Sequence, residues 1–227
     1  MTENHPNSVR RPHGADGHDY LPAAGRDALL PFYDLLTRAL GMPTVYNNLI
    51  DQAGVIEGMS VLEIGCGTGN LTARVHRAHP RATVVGLDPD PRALARAERK
   101  VSVGNGIEFV RGYVQNLPFG DGEFDRILSS MMWHHLDQQT KTTAASEIFR
   151  VLRPGGSLHL VDIGGDMTPS DGFVARRFLR SGHAAGNLGD AIPSLLRGVG
   201  FDCMTVASQR HRGVGRLTYY RATRPAA

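Results

Sequence analysis

The run VLEIGCGTGN at residues 61–70 places Gly65, Gly67 and Gly69 at alternate positions directly after an apolar stretch. Glycines spaced in this way make a turn without Cβ atoms, so backbone N–H groups can close on a ligand where a helix begins. The spacing also separates ligand classes. A dinucleotide fingerprint, GxGxxG, needs its third glycine at position 70, and this chain has Asn70 there. Glu63, two residues before the first glycine, is awkward beside a pyrophosphate and suits a ligand carrying a cationic group. A second carboxylate, Asp88, closes the run VVGLD, 19 residues beyond Gly69. Further on, SSMMWHHL at 129–136 brings His134 and His135 together. Imidazoles titrate near neutrality and can serve as a general base, although a histidine in such a loop is more often a packing or ligand-shell residue.

These residues need a scaffold, and the hydrophobic pattern supplies one. Short β-type runs (MSVLEIG, TVVGLD, IEFVRG, EFDRILSSM, SLHLVDI) alternate with helical ones (NLTARVHRAH, PRALARAERKV and a helix capped by Asp137 that ends in EIFRVL). That alternation predicts βαβ units, hence a mainly parallel sheet with helices on both faces. Asp90 as N-cap with Pro91 in the first turn starts the helix after Asp88, and Arg92, Arg96 and Arg99 form its solvated face. The last two runs, FDCMTVASQR and RLTYYRA, flank a short turn at HRGVG and predict an antiparallel hairpin. Ahead of the alternation, DALLPFYDLLTRAL places Leu29, Leu30, Phe32, Leu35, Leu36 and Leu40 at helical spacing with Gly41 as a stop, and a second helix runs from Pro43 to Gly54. Residues 1–25, rich in Pro, Gly, Asn and His, read as a mobile tail.

With 227 residues the chain suits one large domain, and 41% hydrophobic with 21% charged residues is ordinary for a globular protein. No apolar window is long enough to span a membrane and the polar start lacks a secretory stretch, so a cytoplasmic protein is expected. Cys66 and Cys203 make neither a disulfide framework nor a CxxC metal spacing and read as small packing residues, so no metal is expected. The net charge of +3 hides an asymmetry: residues 167–227 carry nine Arg against three Asp. Part of that excess lies in DMTPSDGFVARRFLRSGHAAGN, where Phe173, Val174, Phe178 and Leu179 interleave with Arg176, Arg177 and Arg180. This basic amphipathic segment reads as a lid over the substrate, with a plain surface helix or a membrane-surface element as alternatives.

The pattern E-x-G-x-G-x-G after a strand resembles the first motif of the class I S-adenosylmethionine-dependent methyltransferases. Asp88, then Leu117-Pro118-Phe119, FDRILSS at 124–130 and LRPGG at 152–156 follow in that family's order. Resemblance is clearest from about Gly58 to Ile163. It is nearest to the ubiquinone and menaquinone biosynthesis group, whose N-terminal segment carries a Tyr-Asp pair, here Tyr33-Asp34. It implies an α/β fold with a Rossmann-like seven-stranded sheet, mainly parallel and closed by the C-terminal antiparallel hairpin. The domain would occupy 26–227, with 27–57 as lid helices and 166–190 as a substrate lid segment. It also implies S-adenosyl-L-methionine as cofactor and an acidic residue, Asp88, accepting from both ribose hydroxyls. Cofactor contacts carried over are Tyr33, Glu63, Gly65, Cys66, Gly67, Asn70, Leu71, Asp88, Pro89, Tyr113, Val114, Gln115, Ser129, Ser130 and His134.

One position departs from the family. Where GDAxxLPF is common, this chain reads Gly112-Tyr113-Val114-Gln115-Asn116-Leu117-Pro118-Phe119, so Tyr113 stands in place of the acceptor for the adenine amino group. The Val114 N–H can still serve an adenine ring nitrogen, and Gln115 or Asn116 can replace the lost acceptor. The N-P-P-Y type sequence of enzymes that methylate amino groups of nucleobases is absent, so nucleic acid is not the expected substrate. The expected acceptor is a small or lipid-like organic molecule, with a quinol or phenol as one case. Phe32, Tyr33, Met131, Met132 and Trp133 are candidates for its lining, the three arginines lie near the mouth, and His134 or His135 is the candidate base. An RNA-modifying methyltransferase and a catalytically silent cofactor-binding protein stay open, and nothing in the sequence specifies an oligomeric state. Two cysteines, one of them inside the glycine turn, do not make a thiolate trap for arsenic.

Overall fold

The computed structural model describes Leu35 and residues 37–101, 106–181 and 185–226. The expected tail at 1–25 and Tyr33, with Phe32 and Asp34, lie outside the described residues. Helical backbone runs through Thr37 to Ala39, and Gly41, read as a stop, is also the start of the next element. At φ 75° it is left-handed and caps α1 (Met42–Ala53), with Pro43 in the first turn. Then follow β1 (Ser60–Ile64), α2 (Asn70–Ala78), β2 (Thr83–Asp88), α3 (Pro91–Lys100), β3 (Ile107–Arg111), β4 (Phe124–Ser130), α4 (Gln138–Val151), β5 (Leu152–Ile163), α5 (Phe173–Leu179), α6 (Ala191–Val199), β6 (Asp202–His211) and β7 (Gly215–Thr223).

The seven strands form one sheet in the order β3-β2-β1-β4-β5-β7-β6. β1 to β5 are parallel, while β7 pairs antiparallel with both β5 and β6. The hairpin expected at the end of the sequence is therefore present, and its second strand lies inside the sheet. The central strands are buried on both faces, which is why they read as apolar runs and not as alternations. Leu62, Ile64, Ile127, Leu158 and Leu160 pack toward Ala144, Ile148, Ile192 and Leu196 of α4 and α6. Val61, Val84, Leu128 and Val161 face Val45 and Leu49 of α1 and Leu71 and Val75 of α2. Each such Leu or Ile contributes about 2 kcal/mol on burial. LRPGG, read as a turn, is incorporated into β5 as an irregularity: Phe124 pairs with Leu152 and Arg126 next with Ser157, so residues 153–156 loop out of register.

Between β1 and β4 the direction in which the sheet is wound reverses. Ligands of open α/β sheets bind outside the carboxyl ends of the strands at this point.

Candidate functional site

At that point lies a cavity of about 770 Å³. Its floor is the glycine turn. The N–H groups of Gly65 and Cys66 both donate to the Leu87 carbonyl, at 2.8 and 3.0 Å, and Gly67 N–H donates to Asp88 Oδ2 at 2.8 Å, so the turn is tied to the end of β2. Gly65, Gly67 and Gly69 all have positive φ, which only glycine adopts without strain. A Cβ on Gly69 would come within 2.9 Å of Ala97 Cβ, whereas one on Gly67 would meet nothing within 4 Å. The turn is thus closed toward α3 and open above Gly67, the shape of a cradle. Lys100, at the end of α3, adds a clamp that its sequence neighbours do not suggest: its Nζ donates to Thr68 O, Thr68 Oγ1 and Asn70 Oδ1 at 2.8 to 3.0 Å.

Three carboxyl groups line the cradle. Glu63 is buried and accepts from the Thr72 hydroxyl. Burial raises its pKa to about 8 against the pull of that hydrogen bond, so without a cation beside it the group holds its proton near neutrality. Asp88 accepts from the N–H groups of Gly67 and Asp90, and burial still leaves its pKa above the ordinary value. Asp90 caps α3, its Oδ1 accepting from Arg92 N–H at 2.8 Å, as expected. Its other oxygen is buried in the cavity wall without a partner, and so is Ser130 Oγ. Buried acceptors without partners are costly and rare, so these two atoms mark positions for a donor on a bound molecule. An open cradle, a carboxyl group awaiting a cation and orphaned acceptors together fit an adenosyl sulfonium ligand. Among the described residues no group of His, Cys, Asp and Glu is placed to hold a metal.

The 113–119 loop forms the opposite wall and is fixed from α4. Glu147 accepts from Leu117 N–H, while Arg150 donates to the carbonyls of Leu117 and Phe119 and to Glu147 itself. The Arg150 hydrogen bond holds the Glu147 carboxyl below its usual range, so the clamp persists as an ion pair. Tyr113, Val114 and Gln115 line the cavity, as do Leu136, Gln139, Thr140 and Thr143 near the start of α4.

The fourth wall carries a buried pair. His134, in a single 3₁₀ turn after β4, sets its Nδ1 2.6 Å from Asp162 Oδ1, and its backbone N–H donates to Asp162 Oδ2 at 3.1 Å. Burial lowers the His134 pKa, but the charge and hydrogen bond of Asp162 outweigh it and the net shift is upward. With Nδ1 held by a carboxylate, Nε2 is the nitrogen that can accept a proton. Lys141, almost fully buried, reaches the same neighbourhood: it donates to Asn187 Oδ1 at 2.6 Å and Gly186 O at 3.2 Å, and burial lowers its pKa despite the nearby Asp162. Asn187 Nδ2 in turn donates to Ile163 O, which ties the 164–190 segment to the end of β5. Met131, between β4 and His134, has φ 59°, a strained conformation for a residue with a side chain and one that gathers at functional sites.

The structure brings most of the residues singled out from sequence onto this one cavity: Glu63, Gly65, Cys66, Gly67, Asn70, Leu71, Asp88, Pro89, Tyr113, Val114, Gln115, Ser130, His134 and His135. Ser129 is a correction. It is buried behind the wall with its hydroxyl donating to Ile64 O, so it braces β1 and does not face the cavity. Trp133 is another, since its ring is 1% exposed in the core, while Met131 and Met132 beside it do line the site. Arg176, Arg177 and Arg180 surround a separate cleft instead of the cavity. Sequence reasoning misses Asp162, although an acidic residue closing an apolar strand at the carboxyl edge of a parallel sheet is a usable signal. Asp90 reads from sequence only as a cap. Thr37, Leu40, Met42, Tyr46 and Val214 also line the cavity and carry no motif.

Comparison with known proteins agrees with this arrangement. Residues 61–156 match the family described as a methyltransferase domain. The chain is 40% identical over 114 residues to an uncharacterized methyltransferase of Synechocystis sp., covering 50% of this chain and 51% of that one. It is 30% identical over 171 residues to the demethylmenaquinone methyltransferase of Thermus thermophilus, covering 71% of this chain and 77% of that enzyme. A solved S-adenosylmethionine-dependent methyltransferase of Methanosarcina mazei shares the fold with a TM-score of 0.62 at 20% identity, over 78% of this chain and 98% of that one. The chain spans about half the length of several curated relatives it matches.

Proposed function

Because the chain belongs to the class I S-adenosylmethionine-dependent methyltransferases, we propose that this enzyme methylates a small or lipid-like organic acceptor, with a quinol or phenol as the leading case. The observation that carries the reading is the apolar part of the cavity lining. There Leu40, Met42, Tyr46, Met131 and Val214 offer an apolar surface on the same cavity as the His134–Asp162 pair. Such a wall selects an apolar body, and the histidine selects an acceptor whose hydroxyl must lose a proton. The similarity to an enzyme named for demethylmenaquinone supports the same class.

S-adenosylmethionine, when bound, supplies a methyl group already activated as a sulfonium. Glu63, the turn at 65–67, Asp88, Asp90 and Val114 would hold it: Glu63 for its cationic amino acid end, Asp88 and Asp90 for hydroxyls, Val114 N–H for the base. His134 Nε2 takes the acceptor proton while Asp162 holds Nδ1–H and stabilises the imidazolium. The described part of the N-terminal segment, which lines the cavity through Thr37, Leu40, Met42 and Tyr46, would act as a cover that keeps water out, a contribution to rate through alignment and desolvation. A screen of S-adenosylhomocysteine release over quinols, phenols, fatty acids, amines and RNA tests the reading. Turnover on quinols or phenols is expected, and turnover on RNA alone would refute it.

A further inference from the structure

The α5 helix is attached to the fold by one face only. Ala175 is fully buried, with its Cβ 3.0 Å from where a Cβ on Gly215 would lie, and the Phe178 ring meets His134 edge-on at 6.2 Å. The segment leading into the helix is pinned by Asp171, which accepts two hydrogen bonds from Arg216 of β7, at 3.0 and 3.1 Å. On the other face the first turn presents Phe173 at 74% and Val174 at 37% exposure. Arg176, Arg177 and Arg180 follow directly and, with Phe173 and Ser181, surround a cleft of about 420 Å³. Among the described residues no carboxylate pairs with any of the three, and Arg176 reaches only the Pro169 carbonyl at 3.2 Å. Of the nine Arg that residues 167–227 carry against three Asp, these three stand together around one cleft.

We propose that this face of α5 docks on an anionic lipid bilayer. Two apolar side chains on the leading turn with guanidinium groups one turn behind are arranged to enter the headgroup boundary while meeting phosphates. The long arginine stems allow that reach without burying charge. A protein or nucleic acid partner fits less well, since a partner surface would have to cover an isolated pair of apolar groups, and base stacking would draw on more than the single ring of Phe173. Because the inner face of the same short helix touches His134, docking would set the cavity against the membrane, where a lipid-like acceptor could enter from the bilayer. That last clause rests on the acceptor class proposed above, whereas the docking itself does not.

The test uses the full chain, sedimented with vesicles of phosphatidylglycerol and phosphatidylcholine and with phosphatidylcholine alone. Binding to the anionic vesicles that weakens with salt is expected. Each arginine near the surface is worth about fivefold in affinity, so Arg176→Gln, Arg177→Gln and Arg180→Gln together should lower it about 100-fold. Phe173→Ser should lower it about tenfold, while the melting temperature and cofactor affinity of all variants stay at parent values. Parent and variants sedimenting alike, or no preference for anionic vesicles, would overturn the proposal. So would a dimer that Phe173→Ser dissolves in the ultracentrifuge, or RNA binding lost with the same arginines in place of vesicle binding. Vesicle binding without turnover of any lipid-like acceptor would keep the docking and remove the acceptor reading.

Discussion

If the Glu63 carboxyl must ionise to receive a cationic ligand, cofactor binding should release a proton. Before the ligand arrives, burial raises its pKa to about 8, so near neutrality most molecules carry it protonated. A ligand that binds only the ionised form has its apparent Kd multiplied by 1 + 10^(pKa − pH), which is about 100 at pH 6, about 11 at pH 7 and about 1.1 at pH 9. Affinity should thus gain about tenfold from pH 6 to 7 and level off above 8, with about 0.9 proton released per cofactor bound at pH 7. Calorimetry in buffers of different ionisation enthalpy reads that proton directly. Glu63→Gln keeps an oxygen for the Thr72 hydroxyl and removes the titration, so its affinity should be lower at pH 9 and flat between pH 7 and 9. The same shift has a sign for stability. Between the ordinary value of 4.5 and about 8 the folded state holds a proton that the unfolded state has lost. The cofactor-free protein is therefore most stabilised by Glu63 below that window and loses this contribution as pH rises through it. Binding enthalpies independent of buffer at pH 7, or an unchanged pH slope in Glu63→Gln, would refute the reasoning.

Asp88→Ala removes charge-assisted hydrogen bonds and should weaken cofactor binding at least tenfold by calorimetry. Asp90→Asn leaves an oxygen to cap Arg92 N–H but removes the charge at the orphaned atom, so affinity should fall about tenfold with little change in melting temperature. Gly69→Ala puts a side chain at φ 74° and within 2.9 Å of Ala97 Cβ on a packed helix; about 3 kcal/mol, or about 10 °C in melting temperature, should be lost. His134→Ala should lower turnover about 100-fold or more, and in the parent the rate should rise with pH through a value above the ordinary imidazole pKa. In Asp162→Asn that limb of a kcat profile should move to lower pH, because the charge that holds the proton on His134 is gone.

The glycine-turn side of the cavity was legible from sequence because local rules govern it. Alternate glycines permit the left-handed backbone the turn adopts, and the acidic residue closing β2 lies two positions before the cap of the next helix. The side around His134 was not. His134 and Asp162 are 28 residues apart and meet only because β4 and β5 are neighbours, a fact of sheet order that no spacing encodes. Lys141 looks like any surface lysine on α4 until Asn187 arrives from a segment 46 residues away to bury it. Ser129 and Ser130 show the limit within a single strand. Adjacent residues point to opposite sides, and a one-residue shift of register decides which one sees the cavity.

The placing of β7 between β5 and β6 bears on how the chain is made. β6 leaves the ribosome before the strand that must separate it from β5, and until residues 215–223 follow, neither has its neighbour. The parallel part, through Ile163, can zip up as it emerges, but the outer edge of β5 then waits for the stretch from 164 to 215 to be translated. At about 5 to 20 residues per second this takes about 3 to 10 s, during which an open, apolar strand edge is offered to any passing chain. Tyr219 and Tyr220 are among the last large side chains to enter the two halves of the core. Ribosome-bound chaperones would therefore have their work concentrated on that interval, and a pause in translation just before Gly215 would prolong the exposure of the β5 edge.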